Sequence, residues 1–381
     1  MNIYTKSVSN YSHNLLNSLK SVIFILYLIA SFFDYVQFNS ISLNALFTFI
    51  LIITFIFSNS TINFNNYYVY FLYFSFLILF INLLHFPGLN FQYFYVVSLM
   101  SMQLILLNSF ANDVGIVLNR FSIIITFVII SMFFFNVGYS VNDEGRFTLG
   151  GDNENQYAIK LCVLTVINLF NSKLGILLKL ASSVFLIYLI FLSGSKTALF
   201  LVFFIILYYL WVTKNLYYFA PLIIIFIYTT DFLNFFESQQ VFSRYSSFFE
   251  KSIQEDDRKY LIDFFLDSFL ADHNIIIGLG DYKFSELGKL KFNAEFTPHN
   301  FFLELYLRYG LLGFLAFIFP LGLLFFRARL TNLTLCLFFC LFFTIFFGQF
   351  LNSKLAWFLV FVTYTVSYQA KIVKNSNNVS I

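Results

Sequence analysis

The segment that decides the fold class is residues 197–213, which reads TALFLVFFIILYYLWVT and carries no charge. Comparable apolar runs recur between residues 21 and 369. The chain of 381 residues is 60% apolar and 11% charged, with a mean hydropathy of +0.80, whereas soluble domains are about 45–50% apolar and about 25% charged. This composition excludes a soluble enzyme, a nucleic-acid-binding protein and a disordered chain. It predicts a polytopic membrane protein.

Apolar stretches bounded by polar clusters predict an all-α fold with about 12 membrane-spanning helices, within a range of about 10 to 12. The spans are expected near residues 20–38, 41–58, 67–85, 91–110, 120–138, 157–171, 174–193, 197–213, 216–230, 309–326, 332–349 and 354–370. The 3 cysteines all lie in these runs. We therefore interpret them as buried apolar residues, not as disulfide partners or metal ligands, and expect no metal and no cofactor.

The positive charges predict the orientation. With both termini in the cytoplasm, the inner connections contain a single carboxylate, Asp113, and many basic residues: Lys6, Lys20, Arg120, Lys173, Lys214, Arg327, Arg329, Lys371 and Lys374. This pattern obeys the positive-inside rule. The same parity places the loop 139–156 and the long segment 231–298 on the outer side.

The segment 231–298 differs sharply in composition from the rest of the chain. It contains 12 of the 19 carboxylates, and its apolar positions have helical spacing: Tyr260, Leu261, Phe264, Phe265 and Phe269. We predict a folded helical cap outside the membrane. The expected organisation is nine spans with the outer loop 139–156 in residues 1–230, the cap in 231–298, and three spans with a cytoplasmic tail in 299–381.

Two basic residues lie at predicted outer ends of spans. Arg146, within residues 145–155, can hold two phosphate oxygens with its planar fork, but the same stretch also fits a solvated turn in which Asn153 or Asn155 caps the next helix. Lys196, within residues 193–198, either extends to the lipid headgroups or adds positive charge to an anionic-lipid site. Both alternatives remain open for each residue.

Two arginines of the cap are further candidates. Arg258 is followed by apolar helical positions and can bind a pyrophosphate, but Glu255, Asp256 and Asp257 offer it surface ion pairs instead. Arg244 has no acidic residue within five positions. This isolation favours a functional role for Arg244.

The last polar cluster reads PHNFFLELYLRYGLLG over residues 298–313. His299 and Asn300 open a helix, and the positive end of the helix dipole keeps a neutral imidazole available as a base. A structural histidine is the alternative. Glu304 and Arg308 are four positions apart and can simply pair with each other. Gly310 and Gly313 would allow the helix to approach a neighbour closely.

Residues 298–313 resemble the His-Asn, Leu-Glu and Gly-Leu-x-Gly signature of the O-antigen ligase and polymerase superfamily. Arg258 with the helix after it and the sequence IGLG at 277–280 resembles that family's Arg, helix, Gly-x-Gly arrangement. The sequence SGSKTA at 193–198 resembles its Ser-x-Ser-Arg-x-x segment, with Lys196 in place of the usual arginine. The resemblance covers about residues 140–326.

The resemblance implies a metal-independent glycosyltransferase of the bacterial cytoplasmic membrane that uses a polyprenyl-pyrophosphate-linked oligosaccharide as donor. It implies His299 as the general base and a substrate-binding set of Arg146, Lys196, Arg244, Arg258, Asn300 and Glu304. The acceptor is another lipid-linked repeat unit in an O-antigen or capsule polymerase, which we favour, or lipid A core in a ligase. The expected partners are this donor and acceptor, membrane lipid and, as an additional candidate, a chain-length regulator; no nucleic acid is expected.

Two other classes of protein compete with this interpretation. A secondary transporter needs ionisable residues within its spans, whereas nearly all charges here lie at span ends, with Lys160 and Lys179 as exceptions. A structural partner of a polysaccharide-export complex needs no outer arginines. Sequence motifs of zinc proteases, nucleotide-driven pumps and serine hydrolases are absent from the chain.

Overall fold

The computed structural model describes residues 21–33, 37–38, 41–57, 69–85, 92–110, 114–141, 146–149, 153–214, 257–271, 275–292, 300–327 and 331–347, and helical residues between 356 and 366. Helices dominate these ranges, as predicted. Two short antiparallel hairpins, not predicted by the all-α assignment, accompany them.

Most of the described helices follow the apolar runs of the sequence, and two lie in the charged segment 231–298. The helices are α1 (Ser21–Phe32), α2 (Leu43–Phe57), α3 (Val69–Leu84), α4 (Gln92–Phe110), α5 (Val114–Phe134), α6 (Glu154–Phe170), α7 (Ile176–Leu192), α8 (Lys196–Thr213), α9 (Asp257–Ala271), α10 (Gly280–Phe292), α11 (Phe301–Arg327) and α12 (Asn332–Phe347). Within a bilayer only a helix or a closed barrel satisfies every backbone polar group. The apolar runs therefore form helices even where aromatic and β-branched residues are frequent.

By length and composition, three described helices could cross a membrane: Val117–Phe134, Lys196–Thr213 and Phe301–Phe326, the last of which is interrupted at Gly310. Shorter apolar helices coincide with further predicted spans, among them Val69–Leu84 and Ile176–Leu192. The predicted span at 216–230 lies outside the described residues. An integral membrane protein is thus supported, but the predicted number of spans is not confirmed.

The chain divides into two units. The first comprises Met1–Phe121, Arg258–Arg329 and Gly348–Ile381, and the second comprises Ser122–Asp257 and Leu330–Phe347. In the second unit, α6 packs against α7, α8 and α12 and is buried at every position from 157 to 169. A helix that is buried on all sides, as α6 is even at Lys160, lies in the interior of its unit. The predicted span 157–171 is therefore the central helix of this unit.

In the first unit, α3 contacts α4, α10 and α11. Its Phe71 and Phe74 pack edge-on against Phe317 of α11, with ring centroids 6.0 and 5.2 Å apart. Buried polar side chains also join these helices: the Tyr27 hydroxyl of α1 donates to the Gln103 side chain of α4 at 3.3 Å. Such bonds between helices replace the hydrophobic driving force that lipid does not supply.

The two hairpins are β1 (Gln37–Phe38) with β2 (Ile41–Ser42), and β3 (Tyr139–Val141) with β4 (Phe147–Leu149). The second hairpin lies in the predicted outer loop 139–156. Ser140 opposes Thr148, and their hydroxyl oxygens are 2.7 Å apart. Tyr, Val, Thr and Phe favour strands, which explains why this loop is more than the solvated turn considered from the sequence.

Candidate functional site

Helix α11 turns back on itself at Gly310. The backbone there has φ 62° and ψ −163°, which is not helical. The ring centroids of Phe301 and Phe317 lie 5.0 Å apart, whereas a straight helix would separate their Cα atoms by about 24 Å. We therefore distinguish α11a, residues 301–309, from α11b, residues 311–327. The predicted span at 309–326 corresponds to α11b.

The turn at residues 275–279 fills the break in α11 with backbone hydrogen bonds. The amides of Leu311 and Leu312 donate to the carbonyls of Ile275 and Ile276 at 2.9 and 3.1 Å, and the Leu279 amide donates to the Leu307 carbonyl at 2.9 Å. The first amides of a helix and its last carbonyls have no partner inside that helix. The turn thus satisfies the end of α11a and the start of α11b.

Two glycines allow this close contact. Gly278 and Gly310 both have positive φ, at 74° and 62°. A Cβ atom on Gly278 would collide with the backbone of Arg308 and Gly310, and one on Gly310 would collide with the backbone of Ile276 and Gly278. In the sequence these glycines belong to separate motifs, and Gly310 is expected to let the helix approach a neighbour closely. That close approach is confirmed, with the turn at 275–279 as the neighbour, and Gly310 also forms the reversal of the helix itself.

A buried ion-pair cluster lies beside the reversal. The Arg308 guanidinium donates through Nε to Glu304 Oε1 at 2.9 Å and through Nη1 to Asp281 Oδ1 at 3.1 Å. The Tyr309 hydroxyl donates to the same Asp281 oxygen at 2.7 Å. Asp281 is fully buried, and Glu304 and Arg308 are each 4% exposed. Because water is excluded, each of these groups depends on its protein partners.

Aromatic rings complete the surroundings of Arg308. Its guanidinium carbon lies 4.4 Å from the ring centroid of Tyr93 and 4.2 Å from that of Phe284. Nη2 also donates to the Tyr93 hydroxyl at 3.2 Å. Arginine stacks on aromatic faces and forms bidentate ion pairs at the same time. Arg308 therefore joins α4, α10 and α11a.

The structure shows what some residues of the motif at 298–313 contact. A helix opens at Asn300 as predicted, and Asn300 also caps it: its side-chain oxygen accepts from the Leu303 amide at 3.2 Å, and its carbonyl accepts from the Glu304 amide at 2.9 Å. Glu304 pairs with Arg308, as their spacing of four positions predicted. His299 lies outside the described residues, so its role as a base stays a prediction.

Sequence reasoning missed Asp281 and Asn82. Asp281 directly follows the glycine motif at 277–280, but it was counted only among the acids of the cap. Asn82 is a polar residue within an apolar run, where such residues are rare and usually have a specific partner. The structure buries it, at 1% exposure. Its place inside the apolar run was the signal that the sequence offered.

In the second unit, Arg146 ties together the starts of two helices. Nε donates to the Ser193 carbonyl before α8 at 2.9 Å, and Nη2 donates to the Asn155 side chain at the start of α6 at 2.8 Å. Nη1 lies 3.4 Å from the Glu154 carboxylate. The side chain is buried, with 7% exposure of the residue. Phosphate binding by Arg146 stays a prediction alongside this structural role.

The turn between α7 and α8 is shaped around Arg146. Gly194 has φ +66°, and a Cβ atom there would lie 3.2 Å from Arg146 Cγ. Ser195 caps α8, its hydroxyl oxygen accepting from the Ala198 amide at 3.4 Å, and Lys196 is the first helical residue. The positive ends of α6 and α8 and two basic side chains make this part of the unit attractive to an anion. Asn153 caps α6, as predicted.

Of the arginines predicted in the cap, Arg258 lies in the first turn of α9, and Arg244 is outside the described residues. The apolar positions predicted for α9 do pack: Phe265 and Phe269 form a buried cluster with Leu279, Phe284 and Leu307. The two described helices of the predicted cap, α9 and α10, therefore pack against α11a. Among the described residues, no group of three His, Cys, Asp or Glu could hold a metal ion.

Comparison with known proteins gives one family match. The sequence model described as O-antigen ligase matches residues 181–318, a narrower region than the resemblance at about 140–326. This region contains the SGSKTA segment, Arg258, the glycine turn and α11a. A search among curated proteins finds no match, and a search among solved structures finds none. The predicted family resemblance is confirmed for residues 181–318.

Proposed function

Because residues 181–318 match the O-antigen ligase family, we propose that this membrane protein is a polysaccharide polymerase. It transfers the growing glycan from polyprenyl pyrophosphate to the next lipid-linked repeat unit, for O-antigen or capsule, on the outer face of the cytoplasmic membrane. The family supports a glycan-processing enzyme of the ligase and polymerase type. The choice of polymerase, the donor and the absence of a metal requirement are our proposal.

One observation supports this proposal most directly. Within the matched region, α11a begins at the His-Asn motif and is fixed at its other end by the Asp281–Arg308–Glu304 cluster and the glycine reversal. A catalytic group needs such a rigid mounting because misplacement of about 1 Å can cost about 100-fold in rate. The motif residues from Phe301 to Tyr309 thus belong to one folded element, and Asn300 caps it.

In the proposed reaction, a sugar hydroxyl of the acceptor attacks the anomeric carbon of the donor. The new glycosidic C–O bond forms while the bond from that carbon to the pyrophosphate oxygen breaks, and the leaving polyprenyl pyrophosphate takes the electron pair. His299 accepts the hydroxyl proton. General base catalysis of this kind contributes on the order of 10²- to 10⁴-fold in rate.

The charge on the leaving pyrophosphate requires cationic partners. By residue chemistry we assign this role to Lys196, Arg146, Arg244 and Arg258. Asn300 has an amide group that can donate to a substrate oxygen while its carbonyl side caps α11a. Glu304 supports the site through Arg308, and direct contact with substrate remains the less favoured role for it.

The family description favours one alternative, because the matched model is named for the ligase. A ligase transfers the completed glycan to lipid A core. The two activities are distinguished by supplying purified protein with lipid-linked repeat unit, with and without core lipid A. A ladder of lengthened, lipid-linked glycans supports the polymerase, whereas transfer only to core lipid A supports the ligase.

The experiment that tests catalysis follows release of polyprenyl pyrophosphate by wild-type protein, His299→Ala and His299→Gln, each with and without a chelator. We expect turnover by the wild type with or without chelator, and a loss of about 10²- to 10⁴-fold for both variants. Near-normal turnover of His299→Gln would place the base elsewhere. Absence of any release by the wild type would favour the transporter or export-partner alternatives, and loss on chelation would indicate a metal.

A further inference from the structure

Three helices of the first unit meet at the Asp281 carboxylate. From α3, the side-chain NH2 of Asn82 donates a hydrogen bond to Asp281 Oδ2 at 2.7 Å, and Asn82 Oδ1 accepts one from the Asp281 backbone amide at 2.9 Å. From α11a, Arg308 and Tyr309 both donate to Oδ1, at 3.1 and 2.7 Å. Asn82 and Asp281 therefore form a two-bond pair, which we call the clasp.

The clasp adjoins the turn that fills the break in α11. Asp281 follows Gly280, whose φ is +73°, and the turn at 275–279 makes its three backbone bonds to residues 307, 311 and 312 only while it lies against the reversal. Through Asn82, the clasp fixes α10 to α3. Through Arg308, it fixes α10 to α11a. The position of the turn and that of α11a are therefore coupled to one carboxylate.

Stability alone does not account for this cluster. Replacing a buried ion pair with well-packed apolar residues is often neutral or stabilising, because both charges lose their hydration on burial. The best-supported benefit of such groups is that they select one arrangement over others. Here two carboxylates share one guanidinium next to a helix reversal, an arrangement with a strict geometric requirement.

We propose that the Asn82–Asp281 clasp sets the position of α11a, and thereby of Asn300 at its start, so that both members of the clasp are positioning residues for transfer. This inference deepens the function proposed above and rests on it for its effect on turnover. Neither residue touches substrate in this proposal. They act through Arg308, Tyr309 and the turn at 275–279.

Exchange of the two side chains tests the clasp. In Asn82→Asp, two carboxylate oxygens face each other across the present 2.7 Å bond. In Asp281→Asn, the NH2 groups of the two side chains face each other at the position of this bond. Turning either amide to avoid this would break another of its present hydrogen bonds. In the double variant N82D/D281N, the amide introduced on α10 would donate to the carboxylate introduced on α3, and the amide oxygen would still accept from Arg308 and Tyr309. Every donor again meets an acceptor, although the charge has moved to α3.

We expect each single variant to lower kcat by about 10- to 100-fold with little change in the KM for lipid-linked repeat unit. The double variant should recover most of kcat. Hydrogen exchange of the segments 275–279 and 307–312 is measured on purified protein in detergent micelles. Its rate should rise in each single variant and return to the wild-type value in the double variant. A matched control is Asn168→Asp, which alters a buried amide bonded to Thr126 at 2.8 Å in the second unit. It should leave kcat per folded molecule and both exchange segments unchanged.

Several results would overturn the inference. One is a normal kcat with normal exchange rates in Asp281→Asn. Another is a double variant whose kcat is no higher than that of the single variants. The third is a loss of kcat in Asn168→Asp as large as the loss in Asn82→Asp or Asp281→Asn. The exchange measurement also separates the two proposals. If exchange follows the pattern expected while wild-type protein releases no polyprenyl pyrophosphate, the clasp is supported as the device that positions α11a and the proposed function fails.

Discussion

Gly278 and Gly310 lie so close together that neither can carry a side chain, since a Cβ atom on either would collide with the backbone at the other. One belongs to the turn before α10, and the other is the reversal of α11. Their contact joins two sequence motifs separated by a whole helix. It also explains why a chain rich in apolar residues can break a helix here without leaving backbone groups unsatisfied.

Gly310→Ala should therefore prevent the reversal from forming. A backbone with φ 62° and ψ −163° is open essentially to glycine alone and costs another residue about 1–3 kcal/mol, and the collision with the Ile276 backbone adds to this cost. We expect severe loss of folded protein in the membrane, measured by fluorescence-detected gel filtration. Gly322→Ala is the matched control, because no atom lies within 4 Å of its added Cβ. Equal behaviour of the two variants would contradict the role of the reversal.

Arg308→Met should destabilise the first unit more than Glu304→Gln. Removing the guanidinium leaves Asp281 and Glu304 as buried carboxylates without their cation, which costs about 3–5 kcal/mol. Glu304→Gln keeps an oxygen that can accept from Arg308, and Asp281 remains to balance the charge. Thermal unfolding in detergent gives the ranking. Arg308→Lys should lie between them, because a lysine cannot reproduce the fork. A larger loss for Glu304→Gln than for Arg308→Met would contradict this account.

Gly194→Ala should displace Arg146 in the second unit. The added Cβ would lie 3.2 Å from Arg146 Cγ at a backbone φ of +66°, so we expect a loss of about 1–2 kcal/mol. Gly175→Ala is the control, since its Cβ would meet nothing within 4 Å. Thermal unfolding compares the two. A combined Gly194→Ala and Arg146→Ala variant should be less destabilised than the sum of the single changes, because Arg146 is the group that collides.

The sequence predicted the helices well and the long-range contacts poorly. Apolar runs mark helices because lipid and protein interiors both demand satisfied backbones, so α3, α7 and α8 follow from hydropathy alone. The pairing of Glu304 with Arg308 followed from their spacing. Asp281 with Asn82 could not be predicted, because these residues are far apart in sequence and only the folded α3 and α10 bring them together. The reversal was hidden because its three bonds come from a distant turn.

Topology is the next prediction. The segment 231–298 should face outward and both termini the cytoplasm, because the basic residues lie in the connections assigned to the inner side. Fusion of a reporter that is active only outside the cytoplasm, placed after Lys251, should be active, and the same reporter after Arg329 should be inactive. The reverse pattern would place Arg244, Arg258 and His299 in the wrong compartment for a lipid-linked donor.

The last prediction concerns Arg258, which either binds substrate or forms ordinary surface ion pairs. It lies in the first turn of α9, next to Asp257, and the acids Glu255 and Asp256 precede it in the sequence. If it binds the pyrophosphate, Arg258→Ala should abolish long-chain polymer, and Arg258→Lys should restore only part of it because a point charge cannot make two parallel hydrogen bonds. Chain length on a gel and protein level in the membrane are measured together. Lys259→Ala, at the neighbouring position of the same helix, is the matched control and should give normal chains. A surface ion pair is worth about 0–1 kcal/mol, so Arg258→Ala with normal chain length at normal protein level would assign Arg258 to the neighbouring acids.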